Sequence, residues 1–390
     1  MGAAPVRLSE LVARLRERGH EVVVLTAMPN YPAGKVFDGY GGVFRRERVD
    51  GVEVLRSWVW PSLRPQFIPR TLSYLSFTAS STIAGALRLP RVDVLVTESP
   101  PLPLGIAGYV LSRLRRAKLV FNVSDLLPET AVHVGIMGED TFATRLAYKL
   151  EAFCYRKAWR VSVQSAEIRE SIEERFPRVH TLDLPGGVDT SLFDPTLRDE
   201  ALRTRLFGDR PVVAVYAGLH GILQGLDQIV EAADVLRERD DLTIALIGNG
   251  PVKADLVREA ERRGLDNVRF VDVQPRALMP SVLASADIAL VPLRTRLPGA
   301  VPSKLYEAMA SGRPVVMAAD GEPAEILARA GAGYSVSTGD IAGFAAALDR
   351  LASSPQERER LGRAGRAAAV ARHDRRVICD RFIDALEESA

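Results

Sequence analysis

The C-terminal half of the chain repeats one grammar that leaves few folds open. Residues 212–217 (VVAVYA) form an unbroken apolar run, followed by a loop from Leu219 to Gly225 with two glycines and by an amphipathic helix from about Leu226 to Arg239. A short apolar run without polar alternation is the signature of a strand buried on both faces. The pattern returns at 242–248 (LTIALIG), where Asn249-Gly250-Pro251 opens another helix, and then in the strands 268–271 (VRFV), 286–292 (ADIALVP) and 314–317 (PVVM). Buried strands separated by helices predict a parallel α/β sheet whose ligands sit at the carboxyl ends of the strands.

Residues 301–316 (VPSKLYEAMASGRPVV) carry the most chemistry. Pro302 and Ser303 begin a helix, and its unpaired N–H groups and positive dipole end suit a diphosphate. Lys304 adds a full positive charge, and Glu307, one turn on, is placed to accept hydrogen bonds from sugar or ribose hydroxyls. Gly312 ends the helix and Pro314 leads into the next strand. Taken alone, the same letters also describe an ordinary helix with serine as its cap and Lys304 and Glu307 in solvent. What favours the ligand site is the set of strand, glycine-loop and helix units around it.

A chain of 390 residues, 47% hydrophobic and 26% charged, can bury two cores, and two domains are expected. The formal charge of +2 gives no reason to invoke nucleic acid. Cys154 and Cys379 are too few and too distant for a disulfide framework or a metal site, which points to a reducing cytosol. No signal peptide is evident. The most apolar long run, 67–89, contains Arg70, Arg88 and many Ser and Thr residues, and predicts a buried or interfacial helix rather than a span.

The N-terminal half has strands near 22–25, 52–59, 94–97, 119–122 and 161–164. It opens directly on an amphipathic helix, Val6 to Gly19, where a Rossmann-like sheet would first place its central strand. The sheet is therefore expected to lack its first strand and to leave two strand edges at a gap, through a translation start assigned too late or the removal of that segment. Asn122-Val123-Ser124-Asp125-Leu126-Leu127-Pro128-Glu129 follows a buried strand, where catalytic groups gather. Asp125 and Glu129 are candidates to orient a substrate hydroxyl, which the resemblance given below makes that of an acceptor or a donor sugar, and His133 to hydrogen-bond a developing charge. The plain alternative makes Asp125 a helix cap and leaves Glu129 and His133 in solvent. Glu98 occupies a similar strand end, and residues 28–32 (MPNYP) could line the acceptor side.

The ordered set LPGGVDTSLFDP (184–195), AGLHGILQGLD (217–227), IGNGP (247–251), ADIALVPL (286–293) and PSKLYEAMASGRPVV (302–316) resembles the retaining glycosyltransferases of family 4. Residues 16–35 and 122–137 resemble the branch that includes the O-antigen L-fucosamine transferases. The resemblance covers nearly the whole chain and implies the GT-B fold, two Rossmann-like domains whose parallel sheets face across a cleft. It implies an acceptor-binding domain over 1–182, a nucleotide-sugar-binding domain over 183–371, and a helix over 372–390 that crosses back. The implied donor site comprises Gly218, His220, Gly221, Gln224, Gly248, Asn249, Val273, Arg294, Pro302, Ser303, Lys304 and Glu307, with Asp125, Glu129 and His133 as the catalytic candidates. No metal and no cofactor are implied beyond the nucleoside diphosphate-sugar co-substrate, with UDP or GDP as its nucleotide, because helix ends and basic side chains neutralise the leaving diphosphate. The acceptor would be a hydroxyl of a glycan, a lipid-linked precursor or a small molecule, and the place of work the cytoplasm or the inner face of the plasma membrane. Cations among aliphatics at 111–118 and aromatics at 67–75 would supply peripheral membrane contact, although such a charge run is usually a solvated face.

Two departures from the family pattern stand out. The loop Leu219-His220-Gly221-Ile222-Leu223-Gln224 has no Arg or Lys where many relatives carry a basic residue, which leaves Lys304, Arg294, Arg296 and His220 to meet the diphosphate. Of the family's two glutamates eight positions apart, only Glu307 is present, and residue 299 is glycine. A nucleotide-sugar 2-epimerase and a non-catalytic sugar-nucleotide-binding relative are the alternatives on the same fold. A dehydrogenase is disfavoured, since no Gly-x-Gly-x-x-Gly follows a predicted strand.

Overall fold

The computed structural model of the protein describes residues 3–30, 34–62 and 67–388. The chain forms two units, Met1–Pro185 with Cys379–Ala390, and Gly186–Ile378. The N-terminal unit contains α1 (Ala3–Glu17), β1 (Val23–Ala27), β2 (Phe44–Val49), β3 (Val52–Ser57), α2 (Phe67–Arg88), β4 (Val94–Ser99), α3 (Leu104–Arg115), β5 (Lys118–Val123), α4 (Glu129–His133), α5 (Phe142–Lys157), β6 (Arg160–Val163), α6 (Ala166–Arg175) and β7 (Thr181–Asp183). The C-terminal unit contains α7 (Glu200–Phe207), β8 (Val212–Ala217), α8 (Asp227–Val235), β9 (Leu242–Ile247), α9 (Lys253–Arg263), β10 (Val268–Val271), α10 (Met279–Ser285), β11 (Ile288–Pro292), α11 (Ser303–Ala310), β12 (Val315–Ala318), α12 (Glu322–Ala330), β13 (Gly333–Val336), α13 (Ile341–Ser353) and α14 (Pro355–Ala368). The last helix, α15 (Arg375–Glu388), carries the chain from the second unit into the first.

The C-terminal sheet is wholly parallel, in the order β10-β9-β8-β11-β12-β13. Its strands are buried on both faces because helices cover both: Val212, Ala214 and Tyr216 of β8 pack with Leu226, Ile229, Phe344 and Leu348, while Val213 and Val215 pack with Leu202, Phe207 and Val282. Each such side chain removed from water stabilises the unit by about 1.5–3 kcal/mol. The chain steps outward from β8 through β9 to β10, then returns to place β11 on the other side of β8. That reversal is a topological switch point, and it opens a crevice beyond the carboxyl ends of β8 and β11.

The N-terminal unit holds two sheets, β1-β3-β2 and β4-β5-β6-β7. β1 and β4 each end their sheet, and the residues of β1 are only half-buried although four of its five are aliphatic. Two strands of this unit, and β13 of the other, were absent from the sequence reading. β2 is charged and pairs antiparallel with β3 through the Asp50-Gly51 turn, a strong hairpin signal, and β7 is only three residues long. Asp183, the first residue of the second domain by the expected bounds, belongs to β7.

Helix α2 buries Thr78, Ser80, Ser81 and Ala84 while Leu72, Leu75, Ile83 and Leu87 stay exposed. Among the described residues no helix is long and apolar enough to cross a membrane. Of the cations over 111–118, Arg115 donates to the carbonyls of Gly85 and Ala86 at the end of α2, and Lys118 lies over the Trp159 ring, 4.6 Å from its centroid. Met28 is buried rather than facing a ligand; Tyr31 and Pro32, and the side chain of Phe67, lie outside the described residues.

Candidate functional site

In the C-terminal unit, the loop after β8 lies against the loop after β9. Gly218 N–H donates to the Ile247 carbonyl at 2.9 Å, His220 N–H to the Asn249 carbonyl at 2.9 Å, and Val252 N–H to the His220 carbonyl at 3.1 Å. The approach requires glycine twice. A Cβ on Gly248 would stand 1.9 Å from the Gly218 oxygen, and one on Gly218 would stand 2.3 Å from Cε of Lys304 and 2.7 Å from its Nζ. Gly218 also has φ 152°, which disfavours a side chain. Lys304 therefore enters the turn through the space a side chain on residue 218 would fill, with its ammonium 5.4 Å from the centroid of the Tyr216 ring.

Lys304 stands in the first turn of α11. Pro302, not Ser303, is the N-cap, and no side chain caps the helix. The Ser303 hydroxyl hydrogen-bonds the Glu307 carboxylate instead. Of the first N–H groups of α11, that of Leu305 donates to the Pro302 carbonyl at 3.1 Å, and none meets a side-chain cap among the described residues. Burial pushes Lys304 below the usual ammonium range, an effect the neighbouring Glu307 opposes. Burial likewise pushes Glu307 upward, against the charges of Lys304, Arg375 and Arg276 and the Ser303 hydrogen bond.

The remaining donor-site candidates divide. Gly221 and Gln224 bracket the 3-10 turn Ile222–Gln224, where a Cβ on Gly221 would meet Gln224 Oε1. Asn249 and Val273 are exposed beyond β9 and β10, and the Asn249 Oδ1 accepts from Gly250 N–H at 2.8 Å. His220 is fully buried, and burial followed by the charge of Lys253 lowers its pKa, so it is a neutral packing element of the loop and not a fourth cation. Arg294 is also committed: it pairs with Asp227 at 2.7 Å and donates through Nε to the Ile222 carbonyl at 2.9 Å. Through these two contacts it braces the loop after β8. Gly299 has φ 73°, a left-handed conformation unfavourable to glutamate, so the departure at that position is built into the backbone.

In the N-terminal unit, strand ends converge on one arginine. Glu98 Oε1 accepts from Arg7 at 2.9 Å and from the Ser124 hydroxyl, and Glu98 Oε2 accepts from Asn122. Arg7 donates also to Ser124 Oγ and Gln164 Oε1, and Ser162 Oγ donates to Asn122 Oδ1 at 2.6 Å. These partners stand at the carboxyl ends of β4, β5 and β6, and Arg7 reaches them from α1 with 9% of its surface exposed. Asp125 follows directly. Burial pushes its carboxyl up to about 6, Arg7 pulls it down and Glu98 pushes it up. The N-cap of α4 is Pro128, so Asp125 is not a helix cap. Glu129 and His133 do not join this cluster in the same way: Glu129 acts electrostatically on Tyr148 and Glu151 of α5, and His133 is exposed.

Among known proteins, the profile of the glycosyl transferases group 1 family matches residues 198–368, and that of the glycosyl transferase 4-like domain matches residues 2–186. A GDP-mannose-dependent alpha-mannosyltransferase of Mycolicibacterium smegmatis is 30% identical over 96% of this chain and 90% of its own length. The chain belongs to the glycosyl transferases of group 1. WcaI of Escherichia coli (strain K12), a glycosyl transferase assigned provisionally to colanic acid biosynthesis, is 29% identical over 80% of this glycosyltransferase and 78% of its own chain. Sucrose-phosphate synthase from Thermosynechococcus elongatus superposes with a TM-score of 0.77 at 18% identity, covering 100% of this chain and 94% of the other. The glycosyltransferase therefore has the GT-B fold, with parallel sheets in two Rossmann-like domains.

Three charged residues of the glycosyltransferase escaped the sequence reading. Arg276, in the turn after β10, and Arg375, at the start of α15, both act on Glu307, and Arg375 also donates to the Gly187 carbonyl at 2.9 Å. Neither lies in a recognisable motif. Arg7 sits in an amphipathic helix where an arginine ordinarily marks the solvated face. Only its spacing of four residues from Leu11 could have hinted that it shares that residue's buried side.

Proposed function

We propose that this glycosyltransferase moves a sugar from a nucleoside diphosphate-sugar, with UDP or GDP as the nucleotide, to an acceptor hydroxyl with retention of anomeric configuration, in the biosynthesis of a cell-surface polysaccharide or related glycoconjugate. The observation that carries the reading is the uncapped N-terminus of α11 at the β8/β11 switch point, with Lys304 threaded into the Gly218 turn. Helix N–H groups and one ammonium are what a leaving diphosphate needs as its charge develops. Glu307 then holds sugar or ribose hydroxyls. Support also comes from the relatives: the mycobacterial protein is GDP-mannose-dependent, and Anabaena HepE, which shares the fold at a TM-score of 0.72 and 18% identity, has been solved with UDP and glucose.

In this reaction the bond between the sugar's anomeric carbon and the diphosphate oxygen breaks, and a bond from that carbon to the acceptor oxygen forms on the same face. The hydroxyl proton passes to the departing phosphate oxygen. Before transfer, Asp125 accepts the hydrogen bond of the acceptor hydroxyl and so orients it; the proton turns to the phosphate oxygen as the new bond forms. The branch of the O-antigen L-fucosamine transferases, suggested by residues 16–35 and 122–137, fits a glycan or lipid-linked acceptor.

A donor panel of UDP- and GDP-sugars, followed for nucleoside diphosphate release with and without glycan acceptors, tests the proposal. Acceptor-stimulated release from one donor is expected, with the product's anomeric configuration read by NMR. Conversion of the donor sugar without an acceptor would instead identify a 2-epimerase.

A further inference from the structure

Arg7 reaches from α1 to the carboxyl ends of three neighbouring strands in the N-terminal unit. Its guanidinium donates to Glu98 beyond the middle of β4, to Ser124 after β5 and to Gln164 after β6. A structural staple would account for the Glu98 pair by itself. Two features go further. Among the described residues the buried Arg7 Nε has no hydrogen-bond partner, so the guanidinium retains an N–H that none of them uses. Two carboxylates, Glu98 and Asp125, also share this single cation: Glu98 is hydrogen-bonded to it and to Ser124 and Asn122, while Asp125 has only its field.

We propose that Arg7 is a positioning residue for glycosyl transfer: anchored by Glu98, Ser124 and Gln164, it supplies the positive charge that lets Asp125 serve as a hydrogen-bond acceptor for the acceptor hydroxyl. The inference rests on the role given to Asp125 under the proposed function. Arg7 from α1 and Glu98 from β4 are the charged groups that bear on Asp125; Ser124 and Gln164 at the cluster are neutral. Burial holds Asp125 near a pKa of about 6, with Arg7 pulling down and Glu98 pushing up. Loss of Arg7 therefore raises the pH at which Asp125 becomes an acceptor, and loss of the Glu98 charge lowers it. A staple without this role would shift neither.

The test is the pH profile of kcat/KM for the acceptor from pH 5 to 9, in the full chain, for wild type, Arg7→Met, Arg7→Lys, Glu98→Gln and Asp125→Asn. Wild type is expected to lose activity on the acid side near pH 6. A rise of about one pH unit in Arg7→Met gives about tenfold loss at pH 5 and only about 1.1-fold at pH 8. Arg7→Lys, which keeps the charge, is expected to return the acid limb to its wild-type position. Glu98→Gln is expected to move the limb the other way, and it keeps the proposal testable should Arg7→Met fail to fold. Uniform loss across the pH range in Arg7→Met, or no shift in Glu98→Gln, overturns the role of Arg7. Wild-type activity and an unmoved limb in Asp125→Asn would overturn the assignment of Asp125 itself, whatever the Arg7 variants do.

Discussion

Replacing Lys304 by alanine removes the ammonium that fills the Gly218 turn. The loop after β8 has no Arg or Lys of its own between Leu219 and Gln224, His220 is neutral, and Arg294 is paired with Asp227. Lys304 should consequently carry a large share of the diphosphate's neutralisation. A hydrogen bond between charged groups contributes about 1.5–3 kcal/mol, equivalent to a roughly 12- to 150-fold change in Kd. Two features bias the expectation toward the lower half. In the free protein the ammonium already interacts with Glu307, and part of that attraction is given up on binding. Arg276 and Arg375, which also act on Glu307, remain to partner it when Lys304 is gone. Titration calorimetry with UDP and GDP measures the effect, with Lys304→Met as a control that keeps most of the side-chain volume. Because Lys304 and Glu307 interact, the double variant with Glu307→Gln should lose less affinity than the sum of the single losses. UDP and GDP affinities that both stay within twofold of wild type in Lys304→Ala would refute the reasoning.

Three further outcomes follow from the same structure. Gly218→Ala places its Cβ within 2.3 Å of the lysine Cε, so it should weaken nucleotide binding at least several-fold, on the order of 1 kcal/mol, and should add little further loss in a Lys304→Ala background; a full additional loss would show that residue 218 acts otherwise. Asp125→Asn should stabilise the protein at pH 8 by up to about 3 kcal/mol while lowering activity, because a carboxyl raised to about 6 favours folding in its protonated form, an advantage lost as pH rises from about 4 through 6; a gain of equal size at pH 4 would contradict this. Glu151→Ala leaves Arg175 without its bidentate partner at 2.8 and 2.9 Å, and since Glu151 is fully buried the loss should be about 3 kcal/mol, seen as a fall in melting temperature of roughly 6–12 °C; a change under 2 °C would place the pair among those contributing nothing.

The legible parts of the site were those encoded locally. The switch-point strands β8 and β11 are near-continuous apolar runs because both their faces are covered, and that demand appears in the sequence itself. The helix start at Pro302-Ser303 and the position of Lys304 were readable for the same reason. Its capping was not: Pro302 rather than Ser303 takes the N-cap, and the serine turns to Glu307, a choice between two local partners that the letters leave open. Arg294 shows the limit more sharply. Its pairing with Asp227, delivered by a helix that starts 67 positions earlier in the chain, could not be read from its neighbours.

By itself the sequence determined the alternation of strands and helices, the parallel sheet of the C-terminal unit, and the residue types at the carboxyl ends of its strands, since burial and helix periodicity act over a few neighbouring residues. Only the tertiary structure decided which charges meet. Arg7 reaches Glu98 and Gln164 across 91 and 157 positions, and Lys304 reaches the turn at Gly218 from another strand–helix unit. Such pairings depend on strand order and on the depth at which each side chain is buried, and neither leaves a periodic trace in the sequence.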